Sequence, residues 1–302
     1  MAKQPNFFIV GAAKSGTTSL FNYLKQHPEV FRPAVKEPKY FTSSLTNFPH
    51  NGPGDQRVDS KVIKDFDDYL QIFENAEDEK AIGESSVDYL YYKESADLIH
   101  EAFPDAKIII MLRNPVDRAF SAYLHLTRDS RETLSFEEGL QKEAERKRQN
   151  YEFLWHYKSV GMYYEQVRKY IEAFGSDRVR IYLFEDLQND LDHLLRDVFT
   201  FLGVDPDIKP EDTKPLNFSG IPKSKRMEAL MKPSRFQGLK KVIRTFLPKK
   251  FRSELLYKLR RSNLQKIEMQ KQTRKELIEV FRSDVNQLEQ LIDRDLSSWL
   301  KP

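Results

Sequence analysis

Cysteine is absent from the 302 residues of this chain, and no apolar run reaches eighteen residues. The first absence excludes disulfide bonds and thiolate metal sites, and it agrees with a reducing compartment. The second excludes a transmembrane helix, because a span needs about twenty apolar residues. The amino terminus also lacks the apolar core of a signal peptide, so we expect a cytoplasmic protein.

Glycine is scarce as well, with 11 residues, whereas proline, with 15, has its ordinary frequency, and no stretch rich in either divides the chain. What the chain does have is 39% hydrophobic residues, enough for a sizeable core, and 31% charged residues for a water-facing surface. Without a linker, we expect one domain instead of two. We predict a single domain over 1–302, with a core over about 7–230 and a helical extension over about 231–302.

The loop between a predicted strand and helix carries the strongest local signal. Residues 7–10 are all apolar, which predicts a buried strand, and apolar residues at helical spacing from Leu20 onward predict the helix that follows. Gly11 and Gly16 permit tight turns and a close approach of the backbone to a ligand. Free N–H groups at the helix start can then bind an anion. We therefore predict a phosphate site in this loop.

The side chains of this loop depart from the Walker A pattern, in which Lys-Ser/Thr follows the second glycine. Here Thr17 follows Gly16, and the lysine is Lys14. A nucleotide triphosphatase also needs an aspartate at a strand end to help hold magnesium. The best second strand, residues 108–112, is followed by Arg113 instead. The pattern predicts a nucleotide site that needs no metal.

A second phosphate site is indicated beyond residues 108–112. Arg113 follows this apolar run directly, Pro115 is suited to the first turn of a helix, and Ser121 comes eight residues after the arginine. An arginine at the carboxyl end of a strand and a serine in the next helix can converge on one phosphate. Both motifs thus follow a buried strand and both suit an anion.

These motifs, in this order, resemble those of the sulfotransferases that use 3′-phosphoadenosine 5′-phosphosulfate (PAPS), especially bacterial members and the carbohydrate and heparan sulfate enzymes. In that family Arg-x-Pro with a later serine binds the 3′-phosphate, which implies Arg113 and Ser121. The motif that binds the 5′-phosphosulfate corresponds here to Lys14, Ser15, Gly16, Thr17 and Thr18. The resemblance implies an α/β fold with a P-loop-like parallel sheet flanked by helices, PAPS as co-substrate, 3′,5′-adenosine bisphosphate as product, and no metal.

The resemblance also implies catalytic and acceptor-binding residues. Glu37 stands in a context similar to the Glu-x-x-Phe-Phe of several carbohydrate sulfotransferases, whose glutamate takes the acceptor's proton. A hydroxyl is a poor nucleophile until such a base removes its proton. Lys14 would stabilise charge on the leaving nucleotide, and Lys36 and Tyr163 would lie near the acceptor. On the residues alone, Lys36 and Glu37 are a surface ion pair.

The chain departs from the animal enzymes at Ser85. The comparable stretch there, Glu-Lys-Thr-Pro-x-Tyr, carries a lysine near the reaction centre. Any role of that lysine would pass to Lys14, Lys36 or Lys39, or be absent. Glu84, beside Ser85, either orients the site or only accepts a hydrogen bond from a neighbouring loop.

Three further features allow a purely structural interpretation beside a functional one. The turn-rich residues 47–59 either close over an acceptor or form a plain surface connection. His125, one helical turn after Ser121, is read as a packing residue in preference to a site residue. Residues 136–149, rich in Glu, Lys and Arg, predict a charged helix with a solvated face.

The last third of the chain is basic. Gly220, Lys223 and Lys225 lie in a loop similar to the one with which these enzymes cover the nucleotide. Residues 235–275 contain fourteen Lys or Arg and two acidic residues, although the net charge of the chain is only +3. This asymmetry indicates a surface for an anionic glycan or membrane head groups, and we expect no nucleic acid. The alternative is an ordinary solvated helix face. The closing helix, up to Trp299, should dock on the domain.

The sequence therefore predicts a sulfotransferase that acts on a hydroxyl, or as a second option an amine, of a glycan, lipid or small metabolite. The lack of the membrane anchor that animal carbohydrate enzymes carry favours a bacterial type. Two alternatives stay open. One is a P-loop kinase or nucleotide triphosphatase, and the other is a non-enzymatic module that binds anionic surfaces through the basic segment.

Overall fold

A computed structural model describes residues 3–213, 220–222, 264–265 and 267–302. The first half alternates strands and helices, in the order β1 (Phe7–Gly11), α1 (Thr17–Leu24), β2 (Val30–Phe31), α2 (Gln56–Asp59), α3 (Phe66–Gln71), β3 (Ala81–Glu84), α4 (Ser95–Ala102), β4 (Lys107–Leu112) and α5 (Pro115–Arg128). The second half contains α6 (Phe136–Gln141), α7 (Glu143–Arg148), α8 (Tyr163–Phe174), β5 (Val179–Leu183), α9 (Phe184–Asn189), α10 (Leu191–Leu202), β6 (Ile221–Pro222), β7 (Leu264–Gln265) and α11 (Lys271–Ile292). Short 3₁₀ turns lie at Tyr40–Thr42, Phe153–Trp155, Ser159–Gly161, Ser176–Arg178 and Ser297–Leu300.

In the described ranges, five strands form a parallel sheet in the order β2-β3-β1-β4-β5. A separate antiparallel pair joins β6 to β7. Because parallel neighbours require crossover connections, helices cover both faces of the sheet. This confirms the predicted α/β fold with a parallel sheet flanked by helices.

The apolar residues of each strand are divided between the two faces of the sheet. On β1, Phe7 and Ile9 pack against α1 and α10, whereas Phe8 and Val10 pack toward α4, α5, α8 and α11. Side chains alternate along a strand, so a strand covered on both faces needs an unbroken apolar run. This requirement explains the run at residues 7–10 and the similar run in β4.

Helix ends follow local chemistry. Pro115 occupies the first turn of α5, and the Asn114 side chain caps it by accepting from the Val116 N–H at 2.9 Å. Gly203 ends α10 with φ of +81°, as a left-handed cap requires. The predicted helix at 136–149 is instead α6 and α7.

The solvated face predicted for residues 136–149 is partly wrong. Glu143 and Arg146 are buried. Glu143 accepts from the Lys158 N–H at 2.7 Å, and Arg146 Nη2 lies 2.8 Å from Glu132 Oε2. Charged residues are buried here because each has a partner that satisfies it.

The closing helix docks as predicted. Leu277, Phe281, Val285 and Leu288 of α11 are buried in the core that α5 and α8 share. Most of the basic segment 235–275 lies outside the described residues, so its helical character and the single-domain organisation stay predictions. Among the described helices, none combines the length and the apolar run that a bilayer crossing demands.

Candidate active site

The two predicted phosphate motifs meet at the carboxyl edge of the sheet. β1 and β4 are hydrogen-bonded neighbours, with Ile9 opposite Ile109. The loop after β1 and the arginine after β4 therefore leave the sheet side by side. Arg113 Nη1 donates to the Lys14 carbonyl at 3.3 Å, which links the two motifs directly. Ligands of open parallel sheets bind at this edge.

The loop after β1 ends in a conformation that suits glycine. Gly16 has φ of +93° and precedes α1, and a Cβ added there would lie 3.0 Å from Phe184. The first N–H groups of a helix have no intrahelical acceptor, and the first turn of α1 carries no acidic residue. Thr17 and Thr18 at this turn line a cavity. The turn is thus available to an anion.

Lys14 is half-buried beside this turn. Burial, followed by the positive charges of Arg128, Lys36 and Arg113, lowers the pKa of its ammonium to about 8. A cation that lacks an anion in such surroundings is poorly stabilised. The crowding of positive charge therefore favours a strongly anionic ligand next to Lys14.

A cavity of about 500 Å³, here the arginine cavity, is lined by Lys14. Arg113, Ser121 and Gly220 all line it. The Arg113 guanidinium lies 4.6 Å from the centre of the Phe184 ring, a cation–π contact that holds it in place. The predicted pair Arg113 and Ser121 is thus brought to one cavity, together with Gly220 from a distant part of the chain.

A second cavity of about 280 Å³, here the glutamate cavity, is also lined by Lys14. Glu37 and Lys36 line it, and the Lys36 ammonium lies 3.5 Å from the Glu37 carboxylate and 3.4 Å from the Thr18 hydroxyl. Lys39 also lines this cavity, so all three lysines that were alternatives to the missing family lysine at Ser85 are present. Three residues line both cavities, namely Lys14, Gly16 and His125.

The segment that carries Glu37 is held by the loop that follows β3. The Lys39 N–H donates to Ser86 Oγ at 3.1 Å, and Ser86 Oγ donates to Glu84 Oε2 at 2.8 Å. Thr42 Oγ1 donates to Asp88 Oδ2 at 2.9 Å. Glu84 is buried and lines neither cavity. Of its two interpretations, the structure therefore favours the second, in which Glu84 accepts a hydrogen bond from a neighbouring loop.

Residues 47–59, many of them exposed, are anchored by a buried carboxylate. Asp55 is fully buried and accepts from the Gly52 N–H at 2.8 Å and from Trp155 Nε1 at 3.0 Å. Arg131, which lines the glutamate cavity, pairs with Asp55 and lies 3.2 Å from Glu152. Buried charges with this many partners fix the loop beside the cavity.

Tyr163 does not lie where the resemblance placed it. It is fully buried and lines neither cavity, and its hydroxyl donates to the Arg113 carbonyl at 3.0 Å. This position corrects the expected contact with the acceptor, because a side chain under the Arg113 loop supports that loop from behind. Ser15 is buried as well, whereas Lys223 and Lys225 lie outside the described residues.

His125, which the sequence analysis read as a packing residue in preference to a site residue, lies beside Lys14 and Gly16 in the candidate site. It lines both cavities, and its Nδ1 lies 2.7 Å from Arg128 Nη2. Burial lowers the pKa of the imidazole far below its usual value, with Lys14 and Arg128 as the largest electrostatic causes. The signal was its spacing, since residues four apart share one helix face and Ser121 already faces the site.

The described residues contain no group of three or more His, Asp or Glu arranged to hold a metal ion.

A family model described as the sulfotransferase family matches residues 5–207. A crystal structure of a sulfotransferase from Alicyclobacillus acidocaldarius is 42% identical, covers 99% of this chain and 100% of its own, and superposes with a TM-score of 0.80.

Curated relatives agree with this family over shorter stretches. Carbohydrate sulfotransferase 15 of Mus musculus is 26% identical over 256 residues, which cover 67% of this chain and 44% of that protein. Heparan sulfate glucosamine 3-O-sulfotransferase 6 of Homo sapiens is 30% identical over 119 residues, 39% of this chain and 30% of that protein. The chain therefore spans less than half the length of these two relatives.

Proposed function

Because this chain belongs to the sulfotransferase family, we propose that it transfers the sulfuryl group of PAPS to an acceptor hydroxyl. One observation carries the proposal: Lys14 lines both the arginine cavity and the glutamate cavity. Donor and acceptor, one in each cavity, could then meet at one reacting centre beside Lys14. Holding two reactants in such a geometry supplies a large part of enzymatic rate enhancement.

The arginine cavity is the proposed donor site. Its volume of about 500 Å³ lies within the range of small-ligand pockets. Arg113 and Ser121 would bind the 3′-phosphate, because a guanidinium matches phosphate oxygens with two parallel hydrogen bonds. The N–H groups of the first α1 turn, with Thr17 and Thr18, would bind the 5′-phosphosulfate where this cavity adjoins the glutamate cavity, which both threonines line. From the resemblance, Gly220, Lys223 and Lys225 would cover the nucleotide.

PAPS supplies a sulfuryl group that is already activated by its bond to phosphate. Lys14 would donate to the bridging oxygen, where negative charge develops as the bond to sulfur breaks. Glu37 would take the proton of the acceptor hydroxyl. Lys36 contacts both Glu37 and Thr18, so it can hold the base next to the phosphosulfate loop.

The glutamate cavity favours an anionic acceptor. Lys36, Arg57 and Lys61 are exposed residues that line it, and three further cations line its interior. Arg57 lies 3.2 Å from Asp129, an exposed ion pair that contributes little and can be exchanged for a ligand. The names of the relatives support a glycan, so we propose an anionic glycan hydroxyl, with a lipid hydroxyl or an amine as the alternatives.

Nucleotide binding tests the donor assignment. We expect 3′,5′-adenosine bisphosphate to raise the melting temperature, and AMP at equal concentration to raise it far less, because a ligand that binds the native state stabilises it. Arg113→Ala should remove most of that difference. Arg168→Ala is the control, since Arg168 pairs with Glu165 on α8 away from both cavities. Equal stabilisation by both nucleotides, or magnesium-dependent turnover of ATP, would contradict the proposal.

A further inference from the structure

The last turn of the chain packs against the segments that place Arg113. Trp299 is buried there, and its carbonyl accepts from Asn114 Nδ2 at 3.2 Å while its indole Nε1 donates to Glu185 Oε1 at 3.1 Å. Asn114 directly follows Arg113. Glu185 directly follows Phe184, whose ring centre lies 4.6 Å from the Arg113 guanidinium. Trp299 therefore joins the start of α5 to the start of α9, the two helix ends between which the arginine lies.

A second contact ties the end of the chain to α9. Arg294 Nη2 lies 2.8 Å from Asp186 Oδ1, and Asp186 Oδ2 accepts from the Leu183 N–H at 2.8 Å, at the beginning of this helix. The neighbouring residues 185 and 186 are thus both held from the same side. The carboxylate of residue 185 is therefore directed toward the indole by its backbone as well as by its own hydrogen bond.

Two carboxylates near Arg113 are each engaged by another residue. Burial lowers the pKa of Arg113, and the negative charges of Asp117 and Glu185 are among the causes that oppose this shift. Asp117 pairs with Arg274 of α11, whereas Glu185 accepts from the Trp299 indole. Within the described ranges Arg113 itself forms no ion pair, and its guanidinium donates to a backbone carbonyl. Most of its donors therefore stay available to an anionic ligand.

Glu185 is the carboxylate that could compete with such a ligand. Its Oε2 is buried and has no hydrogen-bond partner. A buried charged oxygen without a partner is poorly stabilised, so it gains free energy from any cation that it can reach. An ion pair with Arg113 would neutralise the guanidinium and occupy the donors that bind phosphate oxygens. The hydrogen bond from the indole to Oε1 opposes that movement.

We infer that Trp299 is a positioning residue for nucleotide recognition: its indole holds the Glu185 carboxylate away from Arg113, so that the guanidinium stays available to the 3′-phosphate of the donor. The inference rests on the proposed function, in which Arg113 binds that phosphate. Trp299 acts on binding and through other residues, because it lines neither cavity. Its loss should therefore weaken the preference for a nucleotide that carries a 3′-phosphate.

Calorimetric dissociation constants for 3′,5′-adenosine bisphosphate and AMP measure this preference. Trp299→Phe keeps an aromatic ring but removes the N–H. Bisphosphate binding should weaken about tenfold or more, the effect of a lost hydrogen bond to a charged group, while AMP binding stays within about threefold. Equal weakening of both nucleotides would indicate a general loss of structure and overturn the inference.

The second tryptophan of the chain provides the matched control. Trp155 is also buried, and its indole Nε1 donates to Asp55 Oδ1 at 3.0 Å. It lines neither cavity. Trp155→Phe thus removes the same N–H from the same kind of partner, and it should lower the melting temperature without changing the ratio of the two dissociation constants. A changed ratio in this control would contradict a role that is specific to Trp299.

Glu185→Gln tests competition for the guanidinium directly. The amide still accepts from the indole, but it carries no charge and cannot form an ion pair with Arg113. Added to Trp299→Phe, it should restore most of the preference for the bisphosphate, and by itself it should change that preference by less than about threefold. A double variant as impaired as Trp299→Phe would show that Glu185 does not compete, and the inference would be wrong.

An isosteric analogue covers the case in which Trp299→Phe does not fold. Biosynthetic incorporation of 3-benzothienylalanine into the Trp155→Phe variant places it at residue 299 alone, because the chain has 2 tryptophans. Sulfur then replaces the N–H while the shape of the ring is kept, and the same loss of preference is expected. If wild type itself bound both nucleotides equally, the proposed function would fail. If wild type preferred the bisphosphate and the analogue kept that preference in full, only the inference would fail.

Discussion

Glu37 adopts a backbone conformation that L-residues rarely use. Its φ is +53°, and that of Lys39 is +54°. Each left-handed residue costs about 1–2 kcal/mol, so the surrounding contacts must enforce the conformation. The Lys39 N–H is held by Ser86, and the Ile63 N–H donates to the Pro38 carbonyl at 2.9 Å. Such strain is typical of residues whose position matters more than their stability.

Glu37→Gln should separate catalysis from binding. The amide keeps the size of the side chain but accepts no proton at neutral pH, so turnover should fall about 10²-fold or more. Binding of 3′,5′-adenosine bisphosphate should barely change, because Glu37 does not line the arginine cavity. Steady-state kinetics with labelled PAPS measures the turnover, and calorimetry measures the binding of 3′,5′-adenosine bisphosphate.

The same substitution at two other carboxylates provides the comparison. Glu152 lines the glutamate cavity but is paired with Arg131, and Glu172 lies on the exposed surface of α8. Glu172→Gln should behave as wild type. If Glu37→Gln kept its turnover while Glu152→Gln lost it, the base would be Glu152 and the resemblance would have misplaced it.

The loop after β3 connects the sheet to the segment that carries Glu37. Glu84 ends β3, and its buried carboxylate anchors Ser86, which in turn holds the backbone at Lys39. Burial raises the pKa of Glu84 to about 8. The chain's last turn gives similar support from the other side, since Asn114 Nδ2 donates to the Trp299 carbonyl at 3.2 Å beside Arg113.

The raised pKa of Glu84 predicts how stability depends on pH. Glu84 keeps its proton in the native state up to about pH 8, whereas the unfolded chain loses it near 4.5. Between these values the native state binds more protons, so stability falls as pH rises, by about 1.4 kcal/mol per pH unit. Glu84→Gln has no such proton to lose.

Denaturant unfolding between pH 5 and pH 8 measures this effect. The free energy of unfolding of Glu84→Gln, relative to wild type, should rise with pH across the window. Glu172→Gln, exposed on α8, controls for the loss of one carboxylate. Stability curves of wild type and Glu84→Gln that run parallel from pH 5 to pH 8 would show that Glu84 is already ionised in the native state.

Charge is distributed unevenly over the molecule. The net charge is only +3, yet residues 235–275 contain fourteen Lys or Arg and two acidic residues. The mouth of the glutamate cavity is basic as well, through Lys36, Arg57 and Lys61. Two basic regions in one chain agree with an anionic acceptor, because unlike charges raise the local concentration of a substrate. The stretch 223–263 lies outside the described residues, so this idea comes from composition.

Charge reversal in the basic segment tests its role. Changing Lys240, Lys241, Lys249 and Lys250 to Glu should raise the Michaelis constant for an anionic acceptor at low salt, by weakening its attraction. Wild type and variant should converge toward 1 M salt, where the Debye length falls to about 3 Å. PAPS should bind both equally. An unchanged acceptor constant at low salt, in a variant shown to be folded, would identify the segment as a solvated surface.

Features of this protein that depend on neighbouring residues could be predicted from its sequence. Apolar runs long enough for strands covered on both faces predicted β1 and β4, and Pro115 and Gly203 marked the ends of helices. Two spaced motifs predicted that Lys14 and Arg113 would serve one nucleotide. These features are legible because backbone geometry and helix ends depend on neighbouring residues in the chain.

Which side chains share a cavity became known from the tertiary structure and not from the sequence. The sequence left the positions of His125 and Tyr163 open. In the fold His125 lines both cavities, and Tyr163 is buried under the Arg113 loop. Part of the charged stretch 136–149 is buried instead of solvated, because Glu132 provides a buried partner for Arg146. Burial and pairing arise from contacts between residues that are distant in the chain, and local patterns do not determine which residues these are.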